Sequence, residues 1–119
     1  MNNIKKHTQV CIKTNSFVDA GMVDILTTLS SVPELITIES CEGYKEWGFV
    51  YFWYGDWEKV CRFMFKKLAP ALNKELGGEN ISLKVRMYGS DVPQGEIGFR
   101  VESRQKLADT LKKILTEIK

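Results

Sequence analysis

The chain reads as an α+β domain: a ferredoxin-like βαββαβ core plus a βα extension, giving a five-stranded, mainly antiparallel sheet with its helices on one face. Three observations carry this expectation. Apolar residues alternate at period two in residues 81–88 and 97–101. Apolar stripes at helical spacing fall between the strand-like segments. Turn and cap residues punctuate the boundaries, with Pro33, Gly55-Asp56 and Gly77-Gly78 in the right places.

The elements follow in order. Residues 7–13 form a strand, Val10 and Ile12 opposing Gln9, Cys11 and Lys13. Asn15-Ser16 supplies a cap, with Asp19 three residues after Ser16. Val18, Met22, Ile25, Leu26 and Leu29 then predict an amphipathic helix over 17–31, which Pro33 ends. Residues 35–40 are short and β-branched, hence a second strand. A turn over 41–46 leads into an aromatic third strand, 47–54.

Asp56 caps a second helix that buries Trp57, Val60, Cys61, Met64 and Leu68. Pro70 should kink or break it, and Gly77-Gly78 stops it. Ile81, Leu83, Val85 and Met87 mark a fourth strand. Residues 89–95, with Asp91 and Pro93, read as a hairpin loop before a fifth strand carrying Ile97, Phe99 and Val101. Ser103 caps a last helix with the stripe Leu107, Leu111, Ile114, Leu115 and Ile118. Residues 1–119 form one domain, without repeat or linker.

Gly98, Arg100 and Glu102 oppose the apolar side of the fifth strand and make poor bedding for an apolar helix. All helices are therefore placed on the other side. The open face then carries Cys11, Lys13, Thr37, Glu39, Lys84, Arg86, Tyr88 and Arg100. In the third strand Val50 and Phe52 suit the core, which sends Phe49, Tyr51 and Trp53 to the open face.

Composition narrows the functions. The 119 residues carry a net charge of +2, from 17 Lys and Arg against 15 Asp and Glu. That balance demands neither nucleic acid nor an anionic membrane. No apolar run approaches the roughly 20 residues of a membrane span, and no apolar core follows the first lysines as in a secretory signal. Cys11, Cys41 and Cys61 are odd in number and far apart, which argues against a disulfide framework and for a reducing cytoplasm.

No cofactor or metal is expected. Three scattered cysteines and the single His7 give no zinc spacing, and Glu39, Glu42, Glu46 and Asp91 are the carboxylates an oxygen site would need. Cys41 as a nucleophile needs a base or a positive field, yet Glu39 and Glu42 flank it and His7 is distant in sequence. It reads more simply as a small buried residue in a turn, so no catalytic residue is assigned. Gly43 suits a positive φ in that turn.

Two resemblances rest on this central region. Lys45, Trp47, Gly48, Phe49, Val50 and Phe52 resemble the RNP1 box of RNA-recognition domains, with Glu46 replacing its glycine. Residues 22–53, with Thr37-Ile38-Glu39-Ser40-Cys41-Glu42-Gly43, resemble a family of small bacterial and phage proteins having a Thr-x-x-Ser-Cys-x-Gly turn. That resemblance implies a fold and no activity. More remotely, the turn is similar to one in the wybutosine-synthesis tRNA methyltransferase module, where Glu42 and Tyr44 depart from the usual residues.

The leading expectation is a non-enzymatic binding module working through its open sheet face, with a homodimer or a partner protein as cover. The alternative is a protein directed at tRNA or single strands, using Ser40–Gly43 and the aromatic strand. Candidate residues are Lys13, Glu39, Ser40, Cys41, Glu42, Gly43, Phe49, Tyr51, Trp53, Lys84, Arg86 and Arg100.

Overall fold

A computed structural model describes residues 9–11, 17–44, 46–89 and 92–116. Its centre is a four-stranded antiparallel sheet built from two hairpins. The first joins β3 (Ile36–Tyr44) to β4 (Trp47–Trp53), the second β5 (Ile81–Tyr88) to β6 (Val92–Arg100). The hairpins meet along β4 and β6, giving the order β3-β4-β6-β5. Two shorter strands, β1 (Gln9–Cys11) and β2 (Phe17–Asp19), pair with each other as a separate ribbon.

The α+β class holds, but the five-stranded ferredoxin-like order is not what the described residues form. The first strand pairs with residues 17–19 instead of entering the main sheet, and every pairing is antiparallel. Closing so short a loop loses less chain entropy than threading a strand between distant partners. Residues 17–19, expected as helix, are its strand partner. The helix begins only after a 3₁₀ turn at Ala20–Met22, as α1 (Val23–Ser30). The proposed Asn15-Ser16 cap lies outside the described residues.

The second helical region is α2 (Trp57–Arg62), a π-helical segment (Phe63–Leu68) and α3 (Ala69–Leu76). Asp56 caps it as expected, its carboxylate accepting the Lys59 N–H at 2.9 Å. Pro70 does not break it. Proline lacks the N–H that would bond the carbonyl four residues back, and its ring crowds that carbonyl. The wider π turns just before Pro70 absorb the conflict, and the helix continues to Gly77.

The helices cover one face. α1 packs on β3, α3 on β5, and α4 (Arg104–Leu115) lies between α1 and α3 over β6. Leu107, Leu111, Ile114 and Leu115 of α4 are buried as the stripe predicts, while Ile118 lies outside the described residues. They meet Val50, Phe52, Ile97 and Phe99 from the central strands, all fully buried. Phe52 and Phe63 pack edge to face with ring centroids 5.8 Å apart. Ser103 makes no side-chain cap; residues Val101–Ser103 form a 3₁₀ turn instead.

Two strands are longer than expected. β6 starts at Val92, so residues 92–95 are strand where a loop was predicted. Pro93 lies beyond the last β4–β6 pair, Trp53 with Gln94, and is registered with Met87 of β5 alone, as on an edge. β3 runs to Tyr44, so Cys41–Gly43 belong to a strand and not to a turn. Its register slips between Thr37 and Glu39 and between Cys41 and Tyr44.

Candidate functional site: the open face of the sheet

Strand alternation puts β4's aromatics outside. Gly48, Val50 and Phe52 are buried toward the helices, leaving Trp47, Phe49, Tyr51 and Trp53 in a column on the face that no described helix covers. Trp47 is 39% exposed and Trp53 42% exposed. Phe49 and Tyr51 stack, with centroids 4.7 Å apart and planes 25° from parallel. The outward assignment of Phe49, Tyr51 and Trp53 is what the sequence predicts.

Cross-strand register fixes the neighbours. Trp47, Phe49, Tyr51 and Trp53 stand beside Arg100, Gly98, Glu96 and Gln94 of β6 in turn. Beyond these lie Ser82, Lys84 and Arg86 of β5, registered with Gly98, Glu96 and Gln94. On the other side of β4 lie Cys41, Glu39 and Ile36 of β3, registered with Phe49, Tyr51 and Trp53. The face is thus a grid: an aromatic column beside a small or polar one, with a carboxylate and a thiol on one flank and cations on the other.

A hollow of about 330 Å³ sits in this grid, between the β4 aromatics and Ser82 and Lys84, with Gly98 in its floor. Gly98 is not forced by its own fold. A Cβ there would meet nothing nearer than Ser82 Cβ, at 3.5 Å. The contrast with two core-side glycines is sharp. A Cβ on Gly48 would lie 2.5 Å from the Phe99 ring, and one on Gly95 2.5 Å from the Phe52 ring.

The charges on this face are largely matched. Arg86 contacts Glu96 at 3.3 Å. Arg100 pairs with Glu46 at 2.8 Å and lies over the Trp47 ring, 5.0 Å from its centroid. Lys84 registers directly against Glu96. Gln94 is 94% buried, and its Nε2 has no hydrogen-bond partner among the described residues.

The predicted site residues separate in the structure. Glu39, Cys41, Phe49, Tyr51, Trp53, Lys84, Arg86 and Arg100 share the open face. Ser40 registers with Val50 on the helix side. Thr37, expected on the open face, registers with Phe52 instead; the bulge at Ile38 breaks the alternation that would have kept Thr37 and Glu39 together. Lys13 lies outside the described residues, and of Cys11 and Tyr88 only the strand backbone is described.

Glu42 has a structural task. Its Oε1 accepts the Gly21 N–H at 2.9 Å, and Arg104 Nη1 donates to its backbone carbonyl at 3.3 Å. It thereby ties β3 to the entrances of α1 and α4. Gly43, at φ +129°, packs where a Cβ would strike the Val101 side chain at 2.1 Å. The segment Ser40–Gly43 is therefore divided among two sheet faces and a helix clamp, and does not form one reactive turn. Cys41 is half-buried in a strand beside Phe49 rather than enclosed in a turn.

Of the carboxylates considered for an oxygen site, Glu42 is engaged by Gly21 and Arg104, Glu46 by Arg100, and Asp91 lies outside the described residues. Among the described residues no three His, Cys, Asp or Glu side chains gather as metal ligands. Among them, too, no helix is long and apolar enough to cross a membrane. Sequence reasoning missed Trp47, Glu96 and Gln94 as members of the face. The alternation of β6 placed Gly98 on the correct side, but a glycine offers no chemistry to notice.

No family model, curated protein or solved structure matches this chain.

Proposed function

We propose that this chain is a non-enzymatic protein-interaction module whose contact surface is the open face of its sheet. The observation that carries the reading is the column Trp47, Phe49, Tyr51 and Trp53, its two tryptophans exposed and Phe49 and Tyr51 half-buried between them. Contiguous apolar surface of this kind on a sheet marks a contact site, and aromatic residues with arginine at the margins are what protein interfaces favour.

A second reading has one specific observation behind it. Phe49 and Tyr51 stack outward from an RNP1-like strand, an arrangement that also suits nucleobases. Charge favours the protein partner. Arg86 and Arg100 are engaged by Glu96 and Glu46, and Glu39 adds a further carboxylate to the face. A phosphate backbone needs cations that are not already neutralised.

Sedimentation velocity over a range of concentrations, with and without a single-stranded oligonucleotide, tests the proposal. The expected result is concentration-dependent self-association that the oligonucleotide leaves unchanged and that Tyr51→Ser with Trp53→Ser abolishes. A monomer that binds the oligonucleotide, with affinity falling steeply in salt, would favour the second reading. Association indifferent to the double substitution would exclude the sheet face.

A further inference from the structure

We infer that the occupant of the open face is a second copy of this chain, docked by a two-fold axis parallel to the strands so that each Phe49 enters the other copy's hollow over Gly98. The inference rests on the sheet-face reading above and goes beyond it by fixing partner and geometry.

The register supplies the reason. Consider two facing sheets and an axis between them, running along the strands over the seam of β4 and β6. Rotation about it preserves each cross-strand row and exchanges the columns. β4 of one copy then lies over β6 of the other, and β3 lies over β5. Because Phe49 and Gly98 share a row, the Phe49 ring meets the glycine floor of the hollow. Because Trp47 and Arg100 share a row and already stack within one chain, the rotation sets each Trp47–Arg100 pair against the other copy's pair. Large side chains fall on small or polar ones, and none of the four aromatics meets its own image.

Charge agrees with the same axis. Glu39 on β3 and Lys84 on β5 occupy one row, through Tyr51 and Glu96. Within one chain they stand three strand spacings apart, roughly 14 Å, too far to pair. Between copies the rotation puts each Glu39 over a Lys84. An isologous contact needs one self-complementary patch, and the grid is self-complementary about this axis. Aligned sheets pack about 10 Å apart with strands within about 30°, within reach of Lys and Glu side chains.

The contact is of modest size. Four strands by seven residues cover roughly 440 Å² in plan, below the ~800 Å² per partner of a standard interface. Contacts below the standard size are weak and reversible, so the monomer stays folded on its own helix-covered core.

The test is sedimentation equilibrium on the full chain and four variants, with thermal unfolding at a concentration where the monomer predominates. Gly98→Leu should raise the dimer dissociation constant at least ~30-fold, since it fills the hollow from a Cβ that meets nothing nearer than 3.5 Å. Glu39→Lys and Lys84→Glu should each raise it about 10-fold, and the double reversal should restore it to within about 3-fold of the unmodified protein. Monomer melting temperatures should be close to unchanged for the Gly98 variant. Failure of the double reversal to rescue, or unaltered association of Gly98→Leu, overturns this geometry. If Tyr51→Ser with Trp53→Ser still abolishes association in that case, the sheet-face reading survives alone. A chain that is monomeric at millimolar concentration overturns the self-pairing altogether.

Discussion

On the helix-covered face of the sheet, two of the glycines lie under phenylalanines from the neighbouring strand: Gly48 beneath Phe99 and Gly95 beneath Phe52. On the open face Gly98 is buried too, yet a Cβ there would meet no ring, its nearest neighbour being Ser82 Cβ at 3.5 Å. Both faces alternate along the same two strands, β4 and β6. The covered face is a finished core in which cross-strand aromatic–glycine pairs fill the pleat. The open face has the same kind of components, aromatics in one column and a glycine in the next, without the layer that would bring them together. The difference teaches where to look for a partner: the missing layer is one that places rings over β6.

The largest expected effects break this comparison from the covered side. Phe52→Ala should destabilise the chain by about 3–5 kcal/mol, because it removes a fully buried ring and leaves a cavity above Gly95. Phe49→Ala, on the open face, should cost the monomer less than about 1 kcal/mol. Urea unfolding of both at low concentration measures the difference. Equal losses would mean that the open face is already covered within the monomer.

Glycine substitutions sharpen the same point. Gly48→Ala and Gly95→Ala force a Cβ into a phenylalanine ring and should each cost about 1–3 kcal/mol. Gly98→Ala should be neutral, or stabilising by about 0.5 kcal/mol, since glycine within a strand is unfavourable unless its space is needed. Calorimetric melting of the three proteins ranks them. A Gly98→Ala variant as unstable as the other two would remove the distinction between the faces.

Glu42 tests whether the Ser-Cys-Glu-Gly segment is structural. Glu42→Ala strips the acceptor from the Gly21 N–H and a neighbour from Arg104. A loss of about 1–2 kcal/mol is expected in denaturant titration, with self-association unchanged once the protein is folded. Unaltered stability alongside weakened association would move Glu42 into the interface.

The smallest effect concerns a pair remote from both faces. The ammonium of Lys59 hydrogen-bonds Glu34 and holds its carboxyl below the usual carboxylate range, while Glu34 raises the Lys59 pKa. With Glu34 depressed, its contribution is present above the ordinary carboxylate pKa and fades as pH falls through the lowered one. With Lys59 raised, that contribution is present below the ordinary lysine pKa and fades as pH rises through the raised one. Both groups are exposed, so solvent screening keeps the effect small. Glu34→Gln should lower the melting temperature slightly at neutral pH and leave it unchanged in strong acid. A difference that persists in acid would assign the effect to the backbone at Glu34, whose φ is +74°.

Much of this architecture was legible because local patterning decided it. The alternation of residues 81–88, the stripe of α4 and the split of β4 into core Val50 and Phe52 against outward Phe49, Tyr51 and Trp53 all follow from side-chain period. What was not legible depended on pairing. Whether residues 7–13 join the sheet or pair with 17–19 is a choice between partners that both suit a strand. The bulge at Ile38, which turns Thr37 inward, leaves no mark in composition. Nor does a sequence announce a π segment before Pro70, since a kink relieves the same clash. The site was half readable: aromatics and charges could be assigned to a face, but the hollow is made by an absent side chain at Gly98.

The three tryptophans offer the most direct test of the central claim, since Trp47 and Trp53 lie on the open face and Trp57 at the start of α2. All are exposed in the monomer, Trp57 to 46%. Fluorine NMR of 5-fluorotryptophan-labelled protein, followed from micromolar to millimolar concentration, reads them separately. The Trp47 and Trp53 resonances should move together and lose their solvent isotope shift as the dimer forms, while that of Trp57 stays in place. Three resonances unchanged over the whole range, or movement of Trp57 alone, would contradict it.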